Sequence, residues 1–197
     1  MNAPLNSAAL DTLFRQARTH SVWTDKAVTE DTLRQVYDLA CLGATSANCQ
    51  PGRFVFIRTP EAKERLKPCL APGNLDKTMT APVTVLIGHD MAFYENLPRL
   101  FPHTDARAWF VGQDTLISDT AFRNGGLQGA YLMLAARALG LDCGPMSGFD
   151  ADKAEVAFFP QGGIKANFLC NLGYGKGGDT LHPRLPRLTF EEACQVA

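Results

Sequence analysis

The sequence contains no apolar run that approaches the roughly 20 residues a helix needs to span a bilayer. Residues 1–4, Met-Asn-Ala-Pro, do not begin the charged and then apolar stretch of a secretory signal peptide. Nineteen basic residues nearly balance twenty acidic ones, and no basic stripe occurs, so nucleic acid and anionic membranes are poor candidate partners. These absences predict a cytoplasmic protein that binds neither nucleic acid nor membrane.

The sequence also lacks the patterns of several enzyme classes. No two of its six cysteines have CxxC spacing, the four histidines lack metal-ligand spacing, and there is no GxSxG nucleophile elbow. We therefore predict no metal site, no disulfide framework and no serine hydrolase. Cys49 lies inside a polar motif, and we expect it to be a packing residue.

Residues 173–178, Gly-Tyr-Gly-Lys-Gly-Gly, match the GxGxxG pattern after an apolar strand. A dinucleotide site also needs a helix that faces the pyrophosphate and an acidic residue about 20 positions further on. Pro183 and Pro186 interrupt the short segment that remains. We therefore predict a turn that leads into a C-terminal arm, residues 174–197, rather than a Rossmann domain.

Helical and strand patterns interleave along the chain without a regular βαβ alternation. Apolar spacing and helix signals predict helices over residues 7–20, 29–43, 60 onwards, 114–139 and 150–159. Short apolar runs predict strands over residues 53–58, 82–88, 141–144 and 166–173. This order favours an α+β fold, one domain over residues 1–197, in which helices sandwich a central mixed sheet.

Two features stand out from these elements. Residues 89–114 mix aromatic, proline and charged residues with weak periodicity, which is typical of a lid or insertion. The long predicted helix contains Gly125, Gly126 and Gly129, and each costs about 1 kcal/mol relative to alanine in a helix interior. Such glycines are tolerated where another backbone or a flat ligand approaches, so this helix is our candidate for a dimer core.

Five short polar motifs are dispersed along the chain. They are Arg18-Thr19-His20, Thr45–Pro51, Asn74–Lys77, Pro145–Phe149 and Arg184–Arg187. In this order and spacing they resemble the nitroreductase family of FMN enzymes over nearly the whole chain. The Arg-Thr-His, Asn-Leu-Asp-Lys and Arg-Leu-Pro-Arg-Leu sequences are most similar to the family branch named for malonic semialdehyde reductase. The resemblance implies a nitroreductase-like fold and an intertwined homodimer with FMN at the interface.

The resemblance divides the motifs among the parts of FMN. The phosphate needs fixed cations, and the planar fork of arginine binds two oxygens at once. Arg18 and Arg187 take this role in the resemblance, with Arg184 as a weaker candidate. The second arginine of the usual family start is missing here, which leaves open which of Thr19, His20 and Ser21 contacts the ligand.

The remaining motifs match the family's contacts to the flavin ring. Asn74 and Lys77 match its Asn-x-x-Lys at the pyrimidine edge, where an ammonium stabilises the negative charge of reduced flavin. The loop with Ser46 and Asn48 matches the one that reaches the flavin of the partner subunit. Ser147 and Gly148 match the run beside flavin N5, where a backbone N–H can bond and glycine permits close approach.

The resemblance further implies an FMN-dependent NAD(P)H oxidoreductase with a ping-pong cycle. Flavin N5 accepts hydride from NADPH or NADH and donates it onward, so no side chain is expected to be a catalytic nucleophile. The implied substrate is malonic semialdehyde, reduced to 3-hydroxypropionate in pyrimidine (uracil) degradation. The alternatives are a broad nitroaromatic or quinone reductase and, in another class, a flavin-storage protein.

A carboxylate substrate such as malonic semialdehyde requires a cation in the pocket. Arg107, beside Trp109 in the lid segment, is our candidate, and Arg99 and Arg123 are weaker ones.

Overall fold

The structure is a computed structural model that describes residues 3–197. Its helices and strands, in chain order, are α1 (Ser7–Leu10), α2 (Glu30–Ala40), β1 (Gly52–Ile57), α3 (Pro60–Leu66), α4 (Leu75–Met79), β2 (Val83–Asp90), α5 (Leu97–Leu100), α6 (Asp114–Ala138), β3 (Asp142–Met146), α7 (Ala151–Phe158), β4 (Ile164–Gly173) and α8 (Phe190–Ala193). The predicted strands and the long helix are confirmed to within a few residues. No helix in the described residues is long and apolar enough to cross a membrane.

Side-chain caps begin several of the helices. Thr29, Thr59 and Asp150 each accept a hydrogen bond from the backbone N–H three residues on, which satisfies one of the unpaired donors of a helix start. Pro60 then occupies the first position of α3, where its missing N–H costs nothing. The predicted starts of α2 and α3 are therefore confirmed.

The first predicted helix, over residues 7–20, is too long. One π-helical turn, Asp11–Arg15, continues α1, and the helix ends there. Beyond it the chain is drawn against β3, because Thr19 forms a parallel bridge with Cys143 and the His20 N–H donates to the Cys143 carbonyl at 3.0 Å. This tertiary pairing overrides the helical spacing of the apolar residues.

The sheet has the strand order β1-β2-β4-β3, and all three of its ladders are antiparallel. The prediction of a mixed sheet is corrected here. The helical crossover through α6 does return the chain so that β3 runs parallel to β2, but β4 inserts between them and pairs antiparallel with both. Parallel pairing in the described chain is confined to the isolated bridge of Thr19.

Helices cover both faces of the sheet, as predicted. Alternate residues of β2 point to opposite faces, so Val85 and Ile87 pack in one cluster with residues of α2 and α6. Leu86 packs in the other cluster with Leu66 of α3 and Ala154 of α7. The sheet therefore has an apolar core on each side.

Two of the three glycines of α6 let this helix pack closely on the sheet of its own subunit. A Cβ on Gly125 would lie 2.8 Å from the Cβ of His89, and one on Gly129 would lie 2.5 Å from Phe168 Cζ. Only glycine fits where the helix crosses the strands this closely. Gly126 faces open space. Of the three glycines proposed for a dimer core, two are thus required by packing within the subunit.

The predicted lid segment, residues 89–114, begins with the last two residues of β2 and then forms short helical turns over residues 93–109, with an apolar cluster of its own. Phe93, Leu97 and Phe110 are buried there against Ile117 of α6 and Cys49. The Phe93 and Phe110 rings meet edge to face with centroids 4.9 Å apart. The segment is thereby packed onto the N-terminal half of α6.

Candidate functional site

A cleft of about 670 Å³ opens between the end of the first helix, α4 and the C-terminal arm. Its walls include five cationic residues, Arg18, Lys77, Arg137, Arg184 and Arg187, and no aspartate or glutamate from the described chain. An excess of one charge sign in a concave site raises the local concentration of ligands of the opposite sign. The charge of the cleft therefore favours an anionic ligand.

Backbone carbonyls of other segments hold three of these arginines in place. Arg18 donates to the His182 carbonyl of the arm, and Arg184 Nη2 donates to the Ala17 carbonyl at 3.1 Å. Arg137, from the last turn of α6, donates through Nη1 to a carbonyl of the first helix at 3.1 Å. A guanidinium has five N–H donors, so each of these groups keeps donors free for a ligand. The crossing bonds also fasten the arm to the first helix.

Residues 19–21 run beside β3, where Thr19 forms its bridge with Cys143. Thr19 and Ser21 line the cleft. His20 points the other way and is buried, with Nε2 3.3 Å from Asp142 Oδ1. Its ring leaves no room for a side chain at position 175, since a Cβ on Gly175 would lie 1.9 Å from His20 Nδ1. The structure therefore places the Thr19 and Ser21 side chains at the cleft and turns the His20 side chain away from it.

Two of the motifs meet beside the cleft. Asn74, which precedes α4, donates through Nδ2 to the Gly148 carbonyl at 2.7 Å, and Lys77 of α4 lines the cleft wall. A Cβ on Gly148 would lie 2.6 Å from Asn74 Nδ2, so this approach requires glycine. Ser147 and Gly148 are exposed, and no hydrogen bond within residues 3–197 uses the Gly148 N–H. That donor lies on an exposed turn beside the cationic cleft.

The Ser46 loop lies elsewhere. The Ser46 N–H donates to Asn124 Oδ1 in the middle of α6 at 2.9 Å, and Asn48 Nδ2 donates to the Leu100 carbonyl of α5 at 2.8 Å. Neither Ser46 nor Asn48 lines the cleft of its own subunit. The structure therefore does not bring this motif together with the other four inside one chain.

The backbone of this loop is strained. Ala47, Asn48 and Gln50 have φ values of 48°, 49° and 40°, in the left-handed region that residues other than glycine seldom adopt. Such strain persists where the surroundings impose it, and it concentrates at ligand sites.

Arg107 is already engaged within the lid segment. Its Nε and Nη2 donate to the two carboxylate oxygens of Glu95 at 2.7 and 2.9 Å. This bidentate bond lowers the pKa of Glu95. Arg107 does not line the cleft, and a substrate carboxylate would have to displace Glu95 to bind it.

Four residues near the site belong to no motif that would identify them from the sequence. Arg137 reads as an ordinary basic residue at a helix C-terminus, where it suits the helix dipole. Lys63, Thr84 and Asn171 are buried polar residues behind the cleft wall. The available signal was their position, since Lys63 lies three residues before buried Leu66 and the other two interrupt apolar strands.

Cys49, in the Ser46 loop, packs with the apolar residues of the lid segment. Cys49 is buried, and burial raises the pKa of its thiol to about 11, so the thiol stays protonated at neutral pH. Across residues 3–197, no group of three or more histidine, cysteine, aspartate or glutamate side chains could hold a metal ion.

The model of the nitroreductase family matches residues 14–174 of the chain. A protein of Polynucleobacter asymbioticus named "Putative NADH dehydrogenase/NAD(P)H nitroreductase" is 57% identical over 196 residues, which is 100% of both chains. A similarly named protein of Burkholderia lata is 60% identical over 192 residues, or 98% of each chain.

Solved structures share the fold. A "putative nitroreductase" of Bacillus subtilis has a TM-score of 0.85 at 20% identity, over 98% of this chain and 100% of the other. A "putative nitroreductase in complex with FMN" from Exiguobacterium sibiricum has a TM-score of 0.83 at 22% identity, over 100% of both chains. At these identities the likeness establishes the α+β architecture alone.

Proposed function

This chain belongs to the nitroreductase family, whose model covers residues 14–174, and from that membership we propose that it is an FMN-dependent oxidoreductase that takes electrons from NADPH or NADH. The observation that carries the proposal is the cationic cleft, which adjoins the contact between Asn74 and Gly148. The relatives at 57% and 60% identity are named as NAD(P)H nitroreductases, which supports the choice of reductant.

The cleft fits the phosphate end of FMN. The phosphate carries about two negative charges near neutral pH and offers three acceptor oxygens. Arg18, Arg184 and Arg187 supply guanidinium groups from two segments of the chain, and Arg137 adds one from α6. We assign these four residues to the phosphate, with the hydroxyl groups that line the same cleft as further donors.

Residues in the cleft wall and beside the cleft fit the flavin ring of FMN. Lys77 provides an ammonium group, which stabilises negative charge at the pyrimidine edge in the reduced state. Asn74 provides an amide at the same helix start, and Gly148 offers an unused backbone N–H next to Ser147. These residues orient the ring and tune its electron affinity.

When bound, FMN supplies hydride acceptance and donation, and the protein needs no nucleophilic side chain for this chemistry. We propose that the reductant and the substrate use one binding slot in turn. Steady-state kinetics at several fixed reductant concentrations should then give parallel double-reciprocal lines.

We also propose a twofold dimer that completes the site. The C-terminal arm exposes Leu185, Leu188 and Phe190 to 73%, 70% and 61%. Exposed apolar surface of this kind marks interaction sites. In a twofold dimer the Ser46 loop, which lies away from its own cleft, can approach the ligand held by the partner chain.

The proposed physiological reaction is the reduction of malonic semialdehyde to 3-hydroxypropionate in pyrimidine degradation. Its support is the similarity of the Arg-Thr-His, Asn-Leu-Asp-Lys and Arg-Leu-Pro-Arg-Leu motifs to that branch. The alternative, broad nitroaromatic or quinone reduction, needs no anchor for a carboxylate. Comparing the kcat/KM of malonic semialdehyde with that of nitrofurazone on the same preparation distinguishes the two.

Rapid mixing tests the enzymatic proposal itself. Purified protein loaded with FMN is mixed with NADPH or NADH in the absence of oxygen, and the visible absorption of the oxidised flavin is followed. We expect bleaching within the time of one turnover and recovery when an acceptor is added. Bound flavin that neither reductant bleaches would indicate a storage protein and would refute the proposal.

A further inference from the structure

A buried lysine lies behind the cleft wall, and the proposed chemistry does not use it. Lys63 of α3 is 5% exposed. Its Nζ donates to the Thr78 carbonyl and to Thr84 Oγ1, both at 2.6 Å. Burial lowers the pKa of this lysine to about 8. A buried cation without a carboxylate partner is costly, so its retention calls for an explanation.

Lys63 begins a directed chain of hydrogen bonds. Thr84 Oγ1 accepts from Lys63 and donates to Asn171 Oδ1 at 2.7 Å, and Asn171 Nδ2 donates to the Lys77 carbonyl at 3.1 Å. Thr84 and Asn171 lie directly opposite each other on β2 and β4. Removing any one of these side chains leaves buried partners unsatisfied, and this costs more than the bond itself contributes.

Both ends of the network act on one short helix. The carbonyls of Lys77 and Thr78 belong to the last turn of α4, where carbonyls lack the usual partner four residues on, although the Thr78 carbonyl also accepts from the Ala81 N–H at 3.3 Å. The Trp23 indole N–H donates to the Lys77 carbonyl as well, at 3.1 Å. A cationic donor at this end also suits the helix dipole. The network therefore fixes α4 by its C-terminal end while the Lys77 side chain remains in the cleft wall.

The same helix is linked to the other wall of the site. Thr78 Oγ1 donates to Met146 Sδ at 3.4 Å. Met146 ends β3 and leads directly into Ser147 and Gly148. The position of α4 therefore bears both on the Lys77 ammonium and on the turn that carries the free Gly148 N–H.

We propose that Lys63 is a positioning residue for the cofactor site, which holds α4 both by its own bond to the Thr78 carbonyl and through Thr84 and Asn171, and thereby places Lys77 at the edge of the flavin. The proposal rests on the proposed function, because it requires FMN to bind beside Lys77. It makes the buried polar network a determinant of flavin affinity and potential.

The test uses a matched pair at the middle of the network. Thr84→Val keeps the side-chain volume and removes the hydroxyl, whereas Thr84→Ser keeps the hydroxyl. Lys63→Met removes the amine at its source. FMN affinity is measured by titration of flavin-free protein, and the midpoint potential is measured on the flavin-loaded protein.

We expect Thr84→Val and Lys63→Met to weaken FMN binding on the order of tenfold and Thr84→Ser to stay close to wild type. The midpoint potential should become more negative in the first two variants, because a displaced ammonium stabilises reduced flavin less than before. A network that only supports the fold would lower thermal stability and leave both quantities unchanged. That result would overturn the proposal.

Hydrogen exchange provides a readout that needs no flavin. The Thr80 and Ala81 amides bond to the carbonyls of Asp76 and Thr78 at the end of α4. We expect both amides to exchange faster in Thr84→Val than in Thr84→Ser, and equal rates would overturn the positioning role. Wild-type protein that takes up no FMN would refute the proposed function, and this exchange comparison would still decide whether the network holds α4.

Discussion

At the scale of single residues, the addition of one methyl group at Gly148 should have a large effect on FMN binding. A methyl group there would lie 2.6 Å from Asn74 Nδ2 and would break the bond that joins the two motifs. We expect Gly148→Ala to weaken FMN binding on the order of tenfold or more, measured by fluorescence titration. Gly177→Ala is the matched control, because a Cβ there meets nothing within 4 Å. Equal affinity in both variants would contradict the assignment of Gly148.

Lys63 predicts an unusual dependence of stability on pH. Burial lowers its pKa from 10.5 to about 8 in the folded protein. Between these values the unfolded chain binds a proton that the folded chain has released, so the free energy of unfolding rises with pH. Below about pH 8 both states are protonated, and the full cost of burying the charge applies.

Urea denaturation across this interval measures the effect. Relative to Lys63→Met, wild type should gain stability as pH rises from about 8 to 10.5, on the order of 3 kcal/mol in total. Lys67→Met alters an exposed lysine just after α3. The difference in unfolding free energy between this variant and wild type should not show a comparable change with pH. A difference that does not change with pH would contradict a Lys63 amine that is buried without a carboxylate partner in residues 3–197.

Sequence motifs identify only some of the residues at the site. Arg18, Arg184 and Arg187 belong to motifs, and the cleft unites them. His20 could not be separated from Thr19 beforehand, because which face of an extended segment turns inward depends on its pairing with β3. Arg137 and Lys63 carry no motif, and their roles depend on tertiary packing.

At the scale of elements, local signals predicted the helices and strands well where caps and apolar runs decide them. The starts of α2 and α3 follow from Thr29 and Thr59. The end of the first helix and the strand order were not predictable in this way. Both depend on contacts between segments far apart in sequence, such as the bridge of Thr19 to Cys143.

The lid segment provides a test of substrate recognition. If Arg107 anchors a substrate carboxylate, Arg107→Ala should raise the KM for malonic semialdehyde more than the KM for a neutral quinone. Glu95→Gln weakens the charged bidentate pair and frees the guanidinium, so it should lower the KM for the semialdehyde. Equal effects of Arg107→Ala on both substrates would remove this residue from the site and leave it as a brace within the lid.

At the scale of the whole molecule, the exposed arm predicts association. A charge at Leu188 or Phe190, which are 70% and 61% exposed, would oppose burial against a second chain. We expect Leu188→Glu and Phe190→Glu to shift the protein towards monomer in sedimentation velocity experiments. They should also reduce FMN binding, since in the proposed dimer the partner chain contributes the Ser46 loop.

The matched control for these arm variants is Val156→Glu. Val156 lies on α7 and is 77% exposed, so it adds the same charge at a site outside the arm. It should leave sedimentation and FMN binding unchanged. Wild-type protein that sediments as a monomer while binding FMN tightly would show that the site is complete within one chain.

The central claim is that the cationic cleft binds the phosphate of FMN, and one titration tests it most directly. Flavin-free protein is titrated with FMN and with riboflavin, which has the same ring and no phosphate, in wild type and in Arg187→Gln. Among the residues that the structure describes, Arg187 bonds only to carbonyls of its own segment, so its replacement should leave the fold intact. We predict that wild type strongly prefers FMN and that Arg187→Gln reduces this preference about tenfold. Equal affinity of wild type for the two flavins, or binding of neither, would contradict the account.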